Sequence, residues 1–164
     1  MMFLKLFCRW ILFVLIFLMP LTGVAEETEG PENQPHQWGI ILGLFTRHVD
    51  PSDNTNESTR MLGLLYSDWG VIGFKNSYHD QSFFGGRRFH TKKIGLTSNS
   101  NFFVQGNLYA GLLHGYGDRF PNIEGITPAV FPTIGFGYKN TTIDLQYVPT
   151  PSGGVFTSFL TYRF

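Results

Sequence analysis

The chain has 164 residues, a single cysteine, and twelve basic residues balanced by twelve acidic ones. That balance excludes a basic nucleic-acid binder, and Cys8 alone excludes a disulfide framework. Nineteen glycines and 16% aromatic residues fit tight turns and aromatic belts in a membrane barrel.

Lys5 and Arg9 precede an apolar run from Trp10 to Leu21, and small residues at Gly23-Val24-Ala25 follow. This order predicts a secretory signal peptide over residues 1–25. The run is short for a membrane-spanning helix, which needs about 18 apolar residues or more. Cleavage after Ala25 removes Cys8, Lys5 and Arg9, and leaves ten basic against twelve acidic residues, a net charge of −2. Residues 26–37 are polar and carry Pro31 and Pro35. They read as a periplasmic tail ahead of one domain, residues 38–164.

Alternating runs separated by turn signals predict strands near 38–48, 60–67, 70–77, 83–97, 102–115, 127–138, 141–148 and 154–164. The expected fold is all-β: an eight-stranded antiparallel transmembrane barrel of the bacterial outer membrane. The seventh strand carries the clearest signal. Ile143, Leu145 and Tyr147 take one face, and Thr142, Asp144 and Gln146 take the other. In the eighth, Phe156, Ser158, Leu160, Tyr162 and Phe164 oppose Val155, Thr157, Phe159, Thr161 and Arg163. An apolar outside around a polar inside inverts the pattern of a soluble lipocalin-like barrel.

Links at 68–69 and 139–140 hold two residues and that at 97–101 holds five, and these are read as the short set; 49–59 and 116–126 hold eleven each and 78–82 and 149–153 five each, and these are read as the long set. Outer-membrane barrels keep short turns in the periplasm and long loops outside. The N-terminus is therefore expected in the periplasm, with His48, Asn76 and Ser77 at the outer mouth. His48 and Ser77 end strands separated by one neighbour. A serine hydroxyl becomes a nucleophile once a base takes its proton, and imidazole titrates near neutral pH. Read from these residues alone, the pair is either an acyl-transfer couple or two solvated strand-end side chains.

Phe74-Lys75-Asn76-Ser77-Tyr78 resembles the F-K-D-S-W segment of the lipid A palmitoyltransferase (PagP) family. Asn56-Glu57-Ser58-Thr59-Arg60, ahead of Leu62-Gly63-Leu64, resembles that family's N-E-R segment before a glycine-rich strand. Pro128-Ala129-Val130-Phe131-Pro132 followed by Gly137-Tyr138 resembles P-V-L-L-P…G-Y, and Tyr147-Val148-Pro149 resembles Y-I-P. Thr46-Arg47-His48 falls at the family's first-strand histidine. Together these segments cover most of the stretch from about residue 38 to 164.

The resemblance implies an eight-stranded outer-membrane enzyme without cofactor or metal, read here as a monomer. Such an enzyme takes an acyl chain, usually palmitoyl, from the sn-1 position of a phospholipid donor and moves it to a lipid A acceptor. Its His, Asp and Ser positions carry over to His48, Asn76 and Ser77. The middle one departs from the pattern: Asn76 cannot serve as a base, but it can donate to a developing oxyanion. Charge support for His48 is then sought at Asp50 or Asp80.

Pro128, Pro132 and Pro149 flank the junction of the sixth and seventh strands, where absent N–H groups would open a lateral lipid gate. The alternative is ordinary strand-end prolines. Arg87 and Arg88, in the basic stretch 87–93, are expected to contact lipid A phosphates, the alternative being a solvated strand extension. In the family a glycine on this strand sets acyl-chain length, and the register here leaves that length open. Gly39, Gly43, Gly63, Gly73, Gly106 and Gly111 would leave room for an acyl chain inside the barrel.

His36, His79, His90 and His114 lack metal-ligand spacing. Asp50, Asp53 and Glu57 form either a divalent-ion loop or a solvated one. Two further functions stay open: a lipid A deacylase or phospholipase on the same barrel, and a non-enzymatic small barrel.

Overall fold

A computed structural model describes residues 37–49, 55–58, 60–96, 101–150 and 153–164. The signal-peptide and tail expectations, along with Asp50 and Asp53, lie outside the described residues. The strands are β1 Trp38–His48, β2 Met61–Tyr66, β3 Trp69–Lys75, β4 Gln81–His90, β5 Ile94–Gly95, β6 Phe102–His114, β7 Ile126–Tyr138, β8 Thr141–Val148 and β9 Val155–Arg163. All neighbours pair antiparallel, β9 joins β1, and β4 pairs with β6 to close the ring. β5 is a two-residue appendage on β6, so the wall is a closed eight-stranded barrel.

Closure matters because lipid offers no hydrogen-bond partners, and a ring of strands pairs its own backbone. The expected fourth strand, 83–97, stops early at His90. Thr91 Oγ1 accepts the Gly106 amide at 3.0 Å and Thr91 N donates to Gly106 O at 2.9 Å. A side chain thus stands where a strand carbonyl would be, and the ladder breaks. Here the end holding the 67–68 and 139–140 turns is the turn end, and the opposite end is the loop end.

Side-chain polarity is inverted. Leu62, Leu64, Val71, Ile134, Phe136, Ile143 and Leu145 are exposed on the outer wall, while Asp144, Asn107, Thr133, Thr142 and Thr161 are buried inside. Asp144 Oδ1 accepts from Asn107 Nδ2 at 2.6 Å and from Thr133 Oγ1 at 2.7 Å. Soluble monomers rarely expose contiguous apolar patches beyond a few hundred Å², and this belt circles the barrel. Trp38 packs on Tyr66 and Phe102 on Tyr138 at the turn end. Tyr147 packs on Phe156 near the loop end. These are the aromatic girdles of a transmembrane barrel.

The lumen is filled. Ile41, Leu65, Ile72, Phe84, Tyr109, Leu113, Ala129 and Phe159 form one buried cluster, with Met61, Phe74, Tyr116 and Phe131 packed against it. The glycines do not hold a chain-sized space open within it. A Cβ on Gly63 would meet the Val71 carbonyl oxygen at 2.9 Å, and one on Gly39 would meet Tyr162 O at 2.9 Å. Gly111 lies against Gly85 and Gly86. Gly73 and Gly106 take the outward parity of β3 and β6. The expected internal acyl space is therefore absent in this state, because these glycines permit close strand contact instead.

Candidate functional site

β1 carries one extra residue. Gly43 pairs with Phe159 and Phe45 with Ser158, leaving Leu44 without a partner on β9. A bulge of this kind shifts every later side chain to the opposite face. Leu44 and Phe45 both point outward, at 50% and 54% exposure, and Thr46 turns inward at 6%. His48 gains the inward parity of Thr46. Were Leu44 paired in regular register, His48 would share the outward parity of Trp38 and Leu42.

Inside the loop-end mouth, His48 Nε2 lies 2.9 Å from Ser77 Oγ. Ser77 sits in the turn between β3 and β4, and that turn is built around Asn76, which is 1% exposed. Asn76 Oδ1 accepts from the amides of Tyr78 at 2.9 Å and Asp80 at 3.0 Å. Its Nδ2 donates to Ser82 Oγ at 3.0 Å and to Gly115 O at 2.8 Å. Gly115 has φ +106° and lies against Ser82, so no larger residue could bring that carbonyl so close. Both amide hydrogens of Asn76 are thereby occupied. The expected donation to an oxyanion is not met by this geometry, and Asn76 shapes the turn that presents Ser77.

Two residues overlooked as site members tie the pair together. Asn56, 5% exposed, donates from its backbone to Ser77 O at 2.9 Å and from Nδ2 to Asn76 O at 2.9 Å. Glu57 Oε1 accepts the His48 amide at 3.2 Å, and its Oε2 accepts from Arg47 Nη1 at 2.8 Å. One stretch of the first loop therefore anchors both the serine turn and the histidine strand. In the sequence these residues read only as part of a polar loop and a family-like segment.

His48 Nδ1 is buried and has no partner among the described residues. For Nε2 to accept the serine proton, the ring must carry its hydrogen on Nδ1, and a third group normally holds that tautomer. Asp80 does not serve here, since it faces Arg119 at 3.3 Å. Tyr116, in the loop after β6, packs edge-on against Tyr78. Burial, then the neighbouring Tyr78, pushes its phenol up to about 12. Among the described residues no group of His, Cys, Asp and Glu side chains could hold a metal.

The prolines lie along a seam. β6 pairs with β7 over its whole length, from Phe102–Tyr138 to His114–Ile126. The β7–β8 ladder runs only from Tyr138–Thr141 to Thr133–Gln146. Lys139 N donates to Asn101 O on the β6 side. In an antiparallel sheet successive residues turn their polar groups to opposite neighbours. Odd residues of β7 therefore face β6, and even ones, Pro128 and Pro132 among them, face β8. Pro149 directly follows β8. The wall is unzipped between residues 126–132 and 147–148, at the loop end.

Arg87 and Arg88 are placed at the other end. β4 descends from the loop end, and Arg87 pairs with Trp69 beside the 67–68 turn. Arg88 points into the lumen toward Asp68 at 3.4 Å. The expectation that they meet lipid phosphates at the mouth holding His48 is corrected by the strand's direction.

No family model matches the chain, and no curated protein matches it. Among solved structures it is similar to the Yersinia pestis outer membrane protein Ail in a phospholipid bilayer nanodisc. Identity is 18%, covering 79% of this chain and 100% of that one, with a TM-score of 0.34.

Proposed function

We propose that this barrel is a bacterial outer-membrane acyltransferase that moves an acyl chain from a glycerophospholipid to lipid A, with its loop end facing outside. The observation that carries the reading is the 2.9 Å contact between His48 Nε2 and Ser77 Oγ at the lumen mouth. The resemblance to the lipid A palmitoyltransferase family at His48, Asn76 and Ser77 supports it, as does the unzipped β7–β8 seam.

In this reading Ser77 Oγ attacks the ester carbonyl carbon while His48 Nε2 takes its proton. The tetrahedral adduct collapses by breaking the bond to the glycerol oxygen, which recovers that proton and leaves as a lysophospholipid alcohol. A lipid A hydroxyl then attacks the acyl-serine, giving its proton to His48; the second adduct breaks its bond to Ser77 Oγ, which takes that proton back and is regenerated. Asn76, Asn56 and Glu57 are positioning residues. The lipid enters sideways between Pro132 and Tyr147, and the side chains filling the upper lumen, Phe84 and Phe131 first, shift to admit the chain. Palmitate follows only from the resemblance.

A second reading, a non-enzymatic barrel, is favoured by the filled lumen and by the unpartnered His48 Nδ1. Mass spectrometry of lipid A from cells with and without the protein separates the readings. One added acyl chain, absent with His48→Ala and with Ser77→Ala, supports the transferase. A missing chain indicates a deacylase. Unchanged lipid A alongside folded protein in the outer membrane overturns the proposal and leaves the non-enzymatic barrel.

A further inference from the structure

At the turn end of the lumen, cations outnumber their partners. Arg88 of β4, Arg163 of β9 and His90 of β4 converge on one oxygen, Asp68 Oδ1, at 3.4, 3.7 and 3.8 Å. Only the first is a hydrogen bond. Arg163 Nη1 is used by Ser67 O at 2.9 Å. Arg88 is 7% exposed. Its Nε and the Nη2 of Arg163 are buried without a hydrogen-bond partner among the described residues.

Lys93, between β4 and β5, adds an ammonium. Its Nζ lies 4.4 Å from the centre of the Phe103 ring, and partial burial of the stem, then Arg88 and Arg163, lower the pKa of its ammonium. The second acid facing the group is Asp144 of β8; its Oδ1 accepts from Asn107 and Thr133, and its Oδ2 has no hydrogen-bond partner among the described residues.

Two guanidinium groups, an ammonium and an imidazole therefore face two carboxylates. A surplus charge in a low-dielectric interior is costly unless a counter-ion completes it. Guanidinium N–H groups left open beside an ammonium match the oxygens of a phosphate-like anion. Lys93 is exposed, which opens the group to water at this end.

We infer that the turn end of the lumen binds an oxyanion of the phosphate class, held by Arg88 Nε, Arg163 Nη2 and Lys93 Nζ. The site lies at the opposite end of the barrel from His48 and Ser77, and stands whether or not they transfer acyl groups. The anion is either free in solution or the headgroup of an anionic phospholipid.

The test titrates inorganic phosphate into the full-length folded protein in phospholipid-free micelles, at constant ionic strength with chloride balancing. Binding is read by ³¹P NMR line broadening and by thermal unfolding. The expected result is saturable broadening with a rise in Tm that chloride does not give. Lys93→Gln, outside the strands of the wall, should weaken binding by about tenfold, the equivalent of one lost charge-assisted contact. Arg163→Gln is the second variant. A parallel arm compares phosphatidylglycerol with phosphatidylcholine bilayers. Lys93-dependent stabilisation by phosphatidylglycerol alone supports the site and names the headgroup as its source. Equal effects of phosphate and chloride with no phosphatidylglycerol preference, or both variants binding like the wild type, would overturn it.

Discussion

The backbone amide of Asn56 donates to the carbonyl of Ser77 at 2.9 Å, and the next residue, Glu57, accepts the amide of His48 at 3.2 Å. The distance between the two reactive side chains thus depends on a loop that belongs to neither. Replacing Asn56 with Ala removes the Nδ2 bond to Asn76 O but keeps the backbone bond. Acyl transfer should fall about tenfold, the scale of a mispositioned catalytic pair. The fall should appear in kcat rather than KM, while heat-unfolding of the barrel stays near wild type.

His48→Ala and Ser77→Ala should each lower transfer by a factor on the order of 10³, and the double variant should fall little further. Residues acting as one unit are strongly non-additive. Single-turnover rates on a phospholipid ester check this. Multiplicative losses would mean that the two side chains do not share a step.

Asn76→Asp should destabilise the fold by about 1–3 kcal/mol at neutral pH, the cost of unmet buried polar groups. The variant places a carboxylate against the Gly115 carbonyl, where Nδ2 now donates at 2.8 Å. A protonated Asp gives one donor in place of two, and its ionised form gives none. Burial raises the folded-state value of that carboxyl. The defect is therefore smallest at acidic pH and grows as pH rises above the unfolded carboxylate value of about 3.9. Urea unfolding at pH 4 and pH 8 reads the difference; a defect independent of pH would contradict this placement.

Deleting Leu44 should restore strict alternation along β1 and leave His48 facing the lumen, since Gly43, Thr46 and His48 then share one parity in the register they already hold against β9. The barrel should still form, since Leu44 has no partner on β9. Transfer should persist, in contrast to its loss in His48→Ala. Lost turnover in the folded deletion variant would show that the histidine needs the bulge itself and not only its lumen-facing parity.

Pro132→Ala and Pro149→Ala restore N–H groups at the β7–β8 seam. If lipid enters there, transfer slows while stability is unchanged or higher, because the ladder gains rungs. Hydrogen exchange at Val130 and Tyr147 should slow in parallel.

Strand positions were legible because the lipid-facing and lumen-facing sets differ so sharply in polarity. β1 and β8 keep the bounds read from alternation. His48 was legible as a strand-end residue, whereas Ser77, expected to end the third strand, lies two residues past β3 in the turn that Asn76 holds. The bulge had a local signal, the consecutive large apolar pair Leu44-Phe45, but alternation alone does not say which later residues change face. Asn56 and Glu57 stood out only as part of a family-like segment, since a polar loop reads alike whether solvated or folded onto the mouth. Arg87 and Arg88 were misplaced because β4 was not followed in its descending direction. The room expected at glycines was misread because backbone from the next strand takes the volume a missing side chain releases.

The unzipped seam also has a chemical sign. Between residues 127 and 132 the groups of β7 facing β8 belong to Pro128, Val130 and Pro132, by the alternation that Lys139 fixes. Three carbonyl oxygens stand there with a single N–H, that of Val130. Across the gap, Tyr147 brings one N–H and Pro149 brings none. The edge can thus lie in a membrane with few orphaned donors, and it presents itself to its surroundings as an acceptor of hydrogen bonds. Hydroxyl groups of glycerol, sugars or water complement such an edge, whereas another open strand, needing donors and acceptors in equal number, does not. The same prolines that hold the wall apart thereby discourage the barrel from pairing edge to edge with a second copy.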